Sequence, residues 1–512
     1  MNDLSKNSES IPPQNESLTQ GYPFLPILFA LVFLLYALTS QTGFFWGDPV
    51  DEVRAAVSTP DHLLSQHLIS SRVNGAILSL IALFGNPAPF FILQLVMSLT
   101  TLAGAWGVFL LLRRRNVEPV VTFGIIGIYL LANAVWFHAV TVETGGIPLA
   151  LLSWSLYWLL RSNLPSRTEL AISFGFISIS VLFNLQQAIF IPLFFLYAIL
   201  RLRTSPGLMK SLATIIISVL LTGVLPYLLI AYGHYGFSSV GEFVAWVTYH
   251  QNAEAIGKMQ GFNIESITRS LAGFFGLVIN PQGASSWLKF RMRGNSEVGM
   301  NYLFILRLLL PGLILALLGV GVFRASSGNR HLVLLSLAAV LVTFLFGFLW
   351  LGSDPQFWLP IWPLLLVPAA IGFSEQVRRR TGFQKIAVGV IAILLPLLAV
   401  LNIPRTSPSL MFPDGDSEFQ SAQEFAEMVQ KKDMVISPGE GGASTCSRCV
   451  PMSGLSTSHL IPWGGCAPKG KHLSVSCKSR LNAPSVQEKR STSREGSTIL
   501  MFSGTVPGKD SA

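Results

Sequence analysis

The sequence predicts an all-α polytopic membrane protein, a bundle of about eleven transmembrane helices with interfacial helices on the extracytoplasmic side. Of the 512 residues, 51% are hydrophobic and only 12% are charged, whereas soluble domains contain about 25% charged residues. The mean hydropathy is +0.54. The apolar residues are gathered into runs of about twenty, which is the length that a helix needs to cross a hydrocarbon core.

Each apolar run is long enough to span a membrane if slightly short runs are accommodated by bilayer thinning or by snorkelling side chains. The polar segment 1–21 shows no cleavage pattern of a signal peptide, so the first run is predicted to be a permanent span. The runs are approximately residues 22–40, 89–112, 120–137, 146–160, 169–185, 188–202, 208–232, 302–323, 331–351, 357–373 and 386–401.

The positive charge of the chain indicates its orientation. The net charge of +9 comes from short clusters of Lys and Arg in every second loop, which is typical of a topology signal and not of a nucleic-acid-binding face. We therefore expect a cytoplasmic N-terminus. The basic residues of these loops are Arg113, Arg114 and Arg115; Arg161 and Arg167; Arg201, Arg203 and Lys210; Arg324 and Arg330; and Arg378, Arg379, Arg380 and Lys385.

The predicted domains follow from these runs: a cytoplasmic N-terminus (residues 1–21), a transmembrane domain (22–402) and an extracytoplasmic tail (403–512). Two outward loops, 41–72 and 233–301, are the longest in the membrane domain. The apolar stretches 73–83 and 270–279 are too short to cross, so we expect them to lie against the membrane interface.

The tail has a different composition. From about residue 436 it is rich in Ser, Gly, Lys and Pro, which predicts a largely disordered segment. All four cysteines are here, Cys446, Cys449, Cys466 and Cys477. The Cys446–Cys449 pair allows a zinc-ribbon interpretation, but the second pair lacks the matching spacing. A degenerate terminus is the alternative.

An acidic segment directly after the first span carries the strongest chemical signal. Asp48, Asp51 and Glu52 stand close together in the first outward loop. Carboxylates that are partly desolvated and near one another can have raised or split pKa values, so one can act as a general base while another holds a cation or a hydroxyl. The alternative is a solvated loop whose acidic residues complement the dipole of a helix N-terminus.

In this segment the chain resembles the GT-C glycosyltransferases, membrane enzymes that use polyprenyl-phosphate-linked sugars, and in particular their protein mannosyltransferase and aminoarabinose transferase branches. Asp51, Glu52, Val53 and Arg54 match the acidic pair that opens the first outward loop in these families. The resemblance implies that Asp51 is the base that activates the acceptor, with Asp48 and Glu52 as further catalytic candidates.

A second patch, residues 352–363, resembles the outward turn that precedes a late span in many of these relatives. The relatives have an Arg followed by an aromatic residue, where this chain has Gln356. Because Gln offers neither the charge nor the bidentate fork of Arg, contact of this turn with a phosphate is in doubt. An interfacial aromatic belt with helix-entry prolines is the alternative interpretation.

Polar residues at membrane depth are further candidates, because uncompensated polar groups are costly in hydrocarbon and should face a cavity or the bundle interior. Asn184, Gln186 and Gln187 interrupt an apolar stretch, and His138 and Glu143 follow the third run. We expect His138, Glu143 and Gln187 to contribute to substrate binding. A turn between two spans explains the first group as well.

The phosphate of a polyprenyl-phosphate donor requires cations. The cationic candidates for substrate binding on the outward side are Arg54, Arg72, Lys258 and Arg269, with His67 in the first loop and Gln356 in the late turn. Each cation can instead be an anchor for lipid headgroups. No cofactor is certain. A divalent cation is the one candidate, and its ligands are left open.

Two functions remain. The first is a glycosyltransferase of the inverting GT-C type in a bacterial plasma membrane, whose partners are a polyprenyl-phosphate-linked sugar, a glycan, lipid or protein acceptor, and membrane lipids. The second is a transporter or a lipid or glycan flippase. Transporters often contain internal repeats and charged residues within spans. The sequence shows no repeat, and its carboxylates gather in outward loops, which favours the enzyme.

Overall fold

The computed structural model describes residues 22, 24–40, 56, 67–85, 89–142, 145–247, 264–279, 302–325, 329–349, 352, 355–379 and 381–411, with four short segments beyond residue 433. The chain divides into two compact units, Met1–Phe412 and Pro413–Ala512. The described part of the first unit is helical.

The helices of the first unit are numbered in chain order. Two 3-10 turns, Leu185–Ile189 and Pro355–Trp358, and a π-helical turn, Leu220–Val224, lie between them. The helices are α1 (Leu25–Leu38), α2 (Ser70–Ala82), α3 (Pro89–Arg114), α4 (Pro119–Leu131), α5 (Asn133–Val140), α6 (Gly146–Leu160), α7 (Arg167–Phe183), α8 (Phe190–Leu202), α9 (Leu208–Val219), α10 (Leu225–Tyr235), α11 (residues 240–247), α12 (Ile264–Gly276), α13 (Tyr302–Arg324), α14 (Arg330–Leu349), α15 (Ile361–Arg379) and α16 (Thr381–Met411).

The structure confirms a multi-pass helical membrane protein. Every predicted apolar run coincides with a helix or a pair of helices, and the two predicted interfacial stretches lie in α2 and at the end of α12. Within the described residues, five helices are long and apolar enough to cross a membrane, or six if the bent pair α4–α5 counts as one span. The count of about eleven spans stays a prediction.

The N-terminus of α7 is specified by a capping box in the sequence. Ser166 Oγ accepts a hydrogen bond from the Glu169 backbone N–H at 3.2 Å, and Glu169 Oε2 accepts one from the Ser166 N–H at 2.7 Å. This capping box satisfies two donors that a helix N-terminus leaves without partners. Glu169 also pairs with Arg161 at 2.7 Å. The helix therefore begins at a defined residue.

The third predicted run is broken, where the sequence predicts one continuous helix. α4 and α5 are bent by 58° at Ala132. The backbone N–H of Asn133 donates to the carbonyl of Val278 at 3.0 Å. Asn402 Nδ2 donates to the carbonyls of Leu131 at 2.8 Å and of Val278 at 3.0 Å. The buried segment after α12 therefore supplies the partners that the break exposes.

The corner between α10 and α11 is a tight glycine turn. Gly236 ends α10 in the left-handed conformation with φ 62°, which a glycine adopts without steric cost. The hydroxyl and backbone N–H of Ser238 donate to the Glu242 carboxylate at 2.7 and 2.8 Å. These hydrogen bonds hold the pKa of Glu242 below its usual value.

The described part of the second unit is a small antiparallel sheet. Its strand order is β2-β1-β4-β3. The largely disordered tail that composition predicts stays a prediction. The strands are β1 (Met434–Ser437), β2 (Arg448–Pro451), β3 (Lys489–Thr492) and β4 (Thr498–Phe502).

Replacing Asn402 tests the packing of the broken span. Asn402→Leu leaves the carbonyls of Leu131 and Val278 without this donor in buried surroundings, so we expect a loss of about 1–3 kcal/mol of stability. Thermal unfolding in detergent measures it. Val400→Ala is the control, because Val400 is 60% exposed on the same helix. An equal loss in both variants would contradict the assignment.

Candidate functional site

The acidic segment itself lies outside the described residues. Asp48, Asp51, Glu52 and Arg54 belong to it, and Glu143 and Lys258 likewise fall outside the described part. Their predicted roles stay predictions. The described candidates are His67, Arg72, His138, Gln187, Arg269 and Gln356.

The described residue nearest to the acidic segment in sequence is Ala56, and it lies against α2. A Cβ atom placed on Gly75 would be 3.0 Å from the carbonyl oxygen of Ala56 and 3.7 Å from its Cα. The first distance is tighter than ordinary van der Waals contact, and the second lies within the ordinary range. Ala56 follows Arg54 by two positions in the sequence.

The end of the first outward loop is bonded to the end of α7. His67 Nδ1 lies 3.0 Å from the carbonyl oxygen of Phe183, and Ser70 Oγ donates to the same oxygen at 3.3 Å. The N–H of Ile69 donates to the Leu182 carbonyl at 3.1 Å. A helix leaves its last carbonyls without partners, so the loop supplies what α7 lacks. His67 is buried there.

The segment that follows α7 is hydrogen-bonded to the late 3-10 turn, residues 355–358. Asn184 Oδ1 accepts a hydrogen bond from the Gln186 N–H at 3.0 Å, and Gln186 Nε2 donates to the Phe357 carbonyl at 2.7 Å. Gln187 is 3% exposed, and its Oε1 has no hydrogen-bond partner among the described residues. Gln356, half-buried, precedes Phe357 in the 3-10 turn. We call residues 67–70 and 182–187, with Gly352 and residues 355–358, the loop junction.

Helix α12, which carries Arg269, packs on the late turn. The Trp358 indole N–H donates to the Gly352 carbonyl at 3.0 Å, and the rings of Phe274 and Trp358 are 5.1 Å apart. Ser270, the neighbour of Arg269, is buried close to Gly352. A predicted cation of the large outward loop therefore stands on the helix that contacts the turn of Gln356.

Arg72 lies on α2 at the exposed side of the junction. Its guanidinium donates to His234 Nδ1 at the end of α10, at 3.2 Å. Because arginine has no acceptor, the accepting ring nitrogen carries no proton. Arg72 thus links the interfacial helix to the α10–α11 corner.

His138 lies at a different helix end. It is 3% exposed near the end of α5, and its Nδ1 has no hydrogen-bond partner. The carbonyls around it are satisfied from α3, since Gln94 Nε2 donates to Val140 at 3.0 Å and Ser98 Oγ to Ala139 at 2.7 Å. The contacts of the described residues do not join His138 to the loop junction directly. Helix α2 packs near both, through Ile77 and Leu78 against Val142.

Sequence analysis missed the polar side of α3. Gln94, Ser98 and Thr101 are all buried, and their spacing of four and three residues places them on one helix face. Polar residues at this spacing within an apolar run could have been recognised from the sequence as a polar helix face. Asn74, buried on α2 with its Oδ1 unpartnered, was missed as well.

The described residues of the junction offer amide, imidazole and hydroxyl groups, which form hydrogen bonds with hydroxyls and phosphates. No group of three or more His, Cys, Asp or Glu that could hold a metal occurs in the described part of the chain. The carboxylates that could do so are in the acidic segment, outside that part.

The described helices form a bundle with one broken span. The chain is similar to a solved structure of ArnT from Cupriavidus metallidurans bound to undecaprenyl phosphate, with a TM-score of 0.50 and 14% identity over 73% of this chain. The apo state of the same protein gives a TM-score of 0.47 at 14% identity over the same share. The chain spans 64% of the length of these structures. No family model and no curated relative matches.

Exchanging Gln186 tests the loop junction. Gln186→Glu replaces the donor to the Phe357 carbonyl with an acceptor, so we expect about 1–3 kcal/mol of destabilisation and faster hydrogen exchange in the 355–358 turn. The matched control is Asn184→Asp, which keeps the acceptor for the Gln186 N–H. Unchanged exchange in Gln186→Glu would show that this bond does not hold the turn.

Proposed function

We propose that the protein is a glycosyltransferase that moves a sugar from a polyprenyl-phosphate carrier to an acceptor on the side of the outward loops. The observation that carries the proposal is the loop junction, where His67, the Gln186–Phe357 bond and the helix of Arg269 meet on a GT-C-like fold. A solved structure with this fold holds undecaprenyl phosphate, and we extend that class of ligand to this chain.

The proposed chemistry is an inverting displacement. A hydroxyl or amine of the acceptor attacks the anomeric carbon, the bond from that carbon to the phosphate oxygen breaks, and the polyprenyl phosphate leaves with the electron pair. The proton of the acceptor goes to the Asp51 carboxylate as general base. Asp48 and Glu52 would hold the acceptor or share the proton. Ala56, which follows Glu52 by four positions, lies beside Gly75 of α2.

The leaving phosphate needs positive charge. Arg54, Lys258 and Arg269 are the proposed cations, and Arg72 joins them if its bond to His234 is exchanged for one to phosphate. Gln356 and Gln187 would donate neutral hydrogen bonds from their amides. His138 and Glu143 would contact the acceptor at the neighbouring helix end. A divalent cation held by the acidic segment is a second way to neutralise the phosphate.

Asp51 carries the main test. Asp51→Asn keeps the size of the side chain and removes its basicity, so we expect transfer to fall by about 100-fold to 10,000-fold. Transfer of a radiolabelled sugar from polyprenyl-phosphate donors in membranes measures it. Asp48→Asn is the matched variant. Loss of transfer in Asp48→Asn alone would move the base to Asp48.

Full activity of both variants would make the carboxylates structural and remove the catalytic proposal. Movement of labelled polyprenyl-phosphate sugar across the membrane without formation of a new glycoside, in the unaltered protein, would favour the flippase instead.

Gly75→Ala tests whether α2 positions the acidic segment. The added methyl group presses on the Ala56 backbone, and a shift of a few tenths of an ångström in a positioned base should lower the transfer rate about tenfold with donor affinity retained. Gly389→Ala is the control, because nothing lies within 4 Å of the added carbon. Equal rates in the two variants would disconnect Gly75 from the site.

A further inference from the structure

Several arginines converge at the opposite, basic end of the bundle. Asn163, in the loop between α6 and α7, accepts from two of them: Arg115 Nη1 donates to its Oδ1 at 3.0 Å, and Arg201 Nη2 donates to its carbonyl at 2.6 Å. Asn163 therefore holds the guanidinium groups of Arg115 and Arg201 close to each other.

The cluster continues onto α14. Helix α8 packs against α14, and His331, the second residue of α14, interacts electrostatically with Arg201, Arg203 and Arg330. Arg203 and Arg330 are exposed. The positive charges of these arginines repel one another. Arg330, at the N-terminus of α14, also interacts unfavourably with the helix dipole.

Two carboxylates at this end form ion pairs with other arginines. Glu118 pairs with Arg378 at 2.7 Å, and Glu169 pairs with Arg161 at 2.7 Å. Among the residues that the structure describes, no carboxylate forms an ion pair with Arg203 or Arg330. Their positive charge is therefore available to an external anion.

Apolar surface leads away from these two arginines along both helices. On α14, Leu334, Leu337 and Leu341 are exposed and follow Arg330 by four, seven and eleven positions, so they share its face. On α8, the exposed Leu196 precedes Arg203 by seven positions, which is about two turns. Arg203 and Arg330 therefore lie at the end of an apolar surface. This arrangement is complementary to a molecule with an anionic headgroup and hydrocarbon tails.

We propose that Arg203 and Arg330, supported by Arg201, form a binding site for the phosphate of an anionic membrane phospholipid, whose acyl chains lie along the exposed leucines of α8 and α14. The site is separate from the loop junction. Its ligand neutralises the arginine cluster and joins the helix ends at the basic side of the bundle.

The test uses the purified full-length protein, stripped of lipid in detergent and titrated with phosphatidylglycerol or phosphatidylcholine, with bound lipid counted by native mass spectrometry. Phosphatidylglycerol should bind at least about fivefold more tightly than phosphatidylcholine. Arg203→Gln with Arg330→Gln should weaken phosphatidylglycerol binding by about fivefold for each arginine. Thermal unfolding without lipid shows whether the variant is folded.

The control is Arg378→Gln, an arginine at the same end that already has Glu118 as partner. It should leave phosphatidylglycerol binding unchanged. Equal binding of the two lipids, or equal loss in the control, would overturn the proposal. Displacement of phosphatidylglycerol by millimolar inorganic phosphate would also overturn it, because the site would then bind a small anion and not a lipid.

Discussion

The carbonyl groups at helix ends are the constraint on which this structure depends. The last carbonyls of a helix have no partner within it, and in an apolar bundle water cannot replace the missing donor. His67 and Ser70 supply donors to Phe183, and Asn402 supplies one to Leu131. Each of these bonds joins segments far apart in the chain, so satisfying a helix end also fixes a loop.

This constraint builds the candidate site. The loop junction exists because α7 ends in an apolar region and must find donors, which the first outward loop provides. The turn after α7 then offers Gln186 to the late turn. The same bonds that keep backbone groups satisfied thereby hold the polar side chains of the loop junction in place.

Much of the fold follows from run length alone, because about twenty apolar residues have few alternatives to a spanning helix. The break at Ala132 was not predictable in this way. Its surroundings read as one apolar run, and the partners of Asn133 and Leu131 come from Val278 and Asn402. For the site, Gln187 and its neighbours were recognised as unusual from their depth, but their connection to His67 and Phe357 depends on long-range bonds that local patterns do not contain.

The departure at Gln356 has a structural counterpart. An arginine in this turn would have two tasks. It would hold the turn in place, and it would present positive charge to a phosphate. In this chain the first task falls to Gln186, whose amide bonds to the Phe357 carbonyl. For the second task, the proposed function assigns α12, which packs on the same turn and carries Arg269. If Arg269 has that role, the absence of an arginine at position 356 does not count against the proposal.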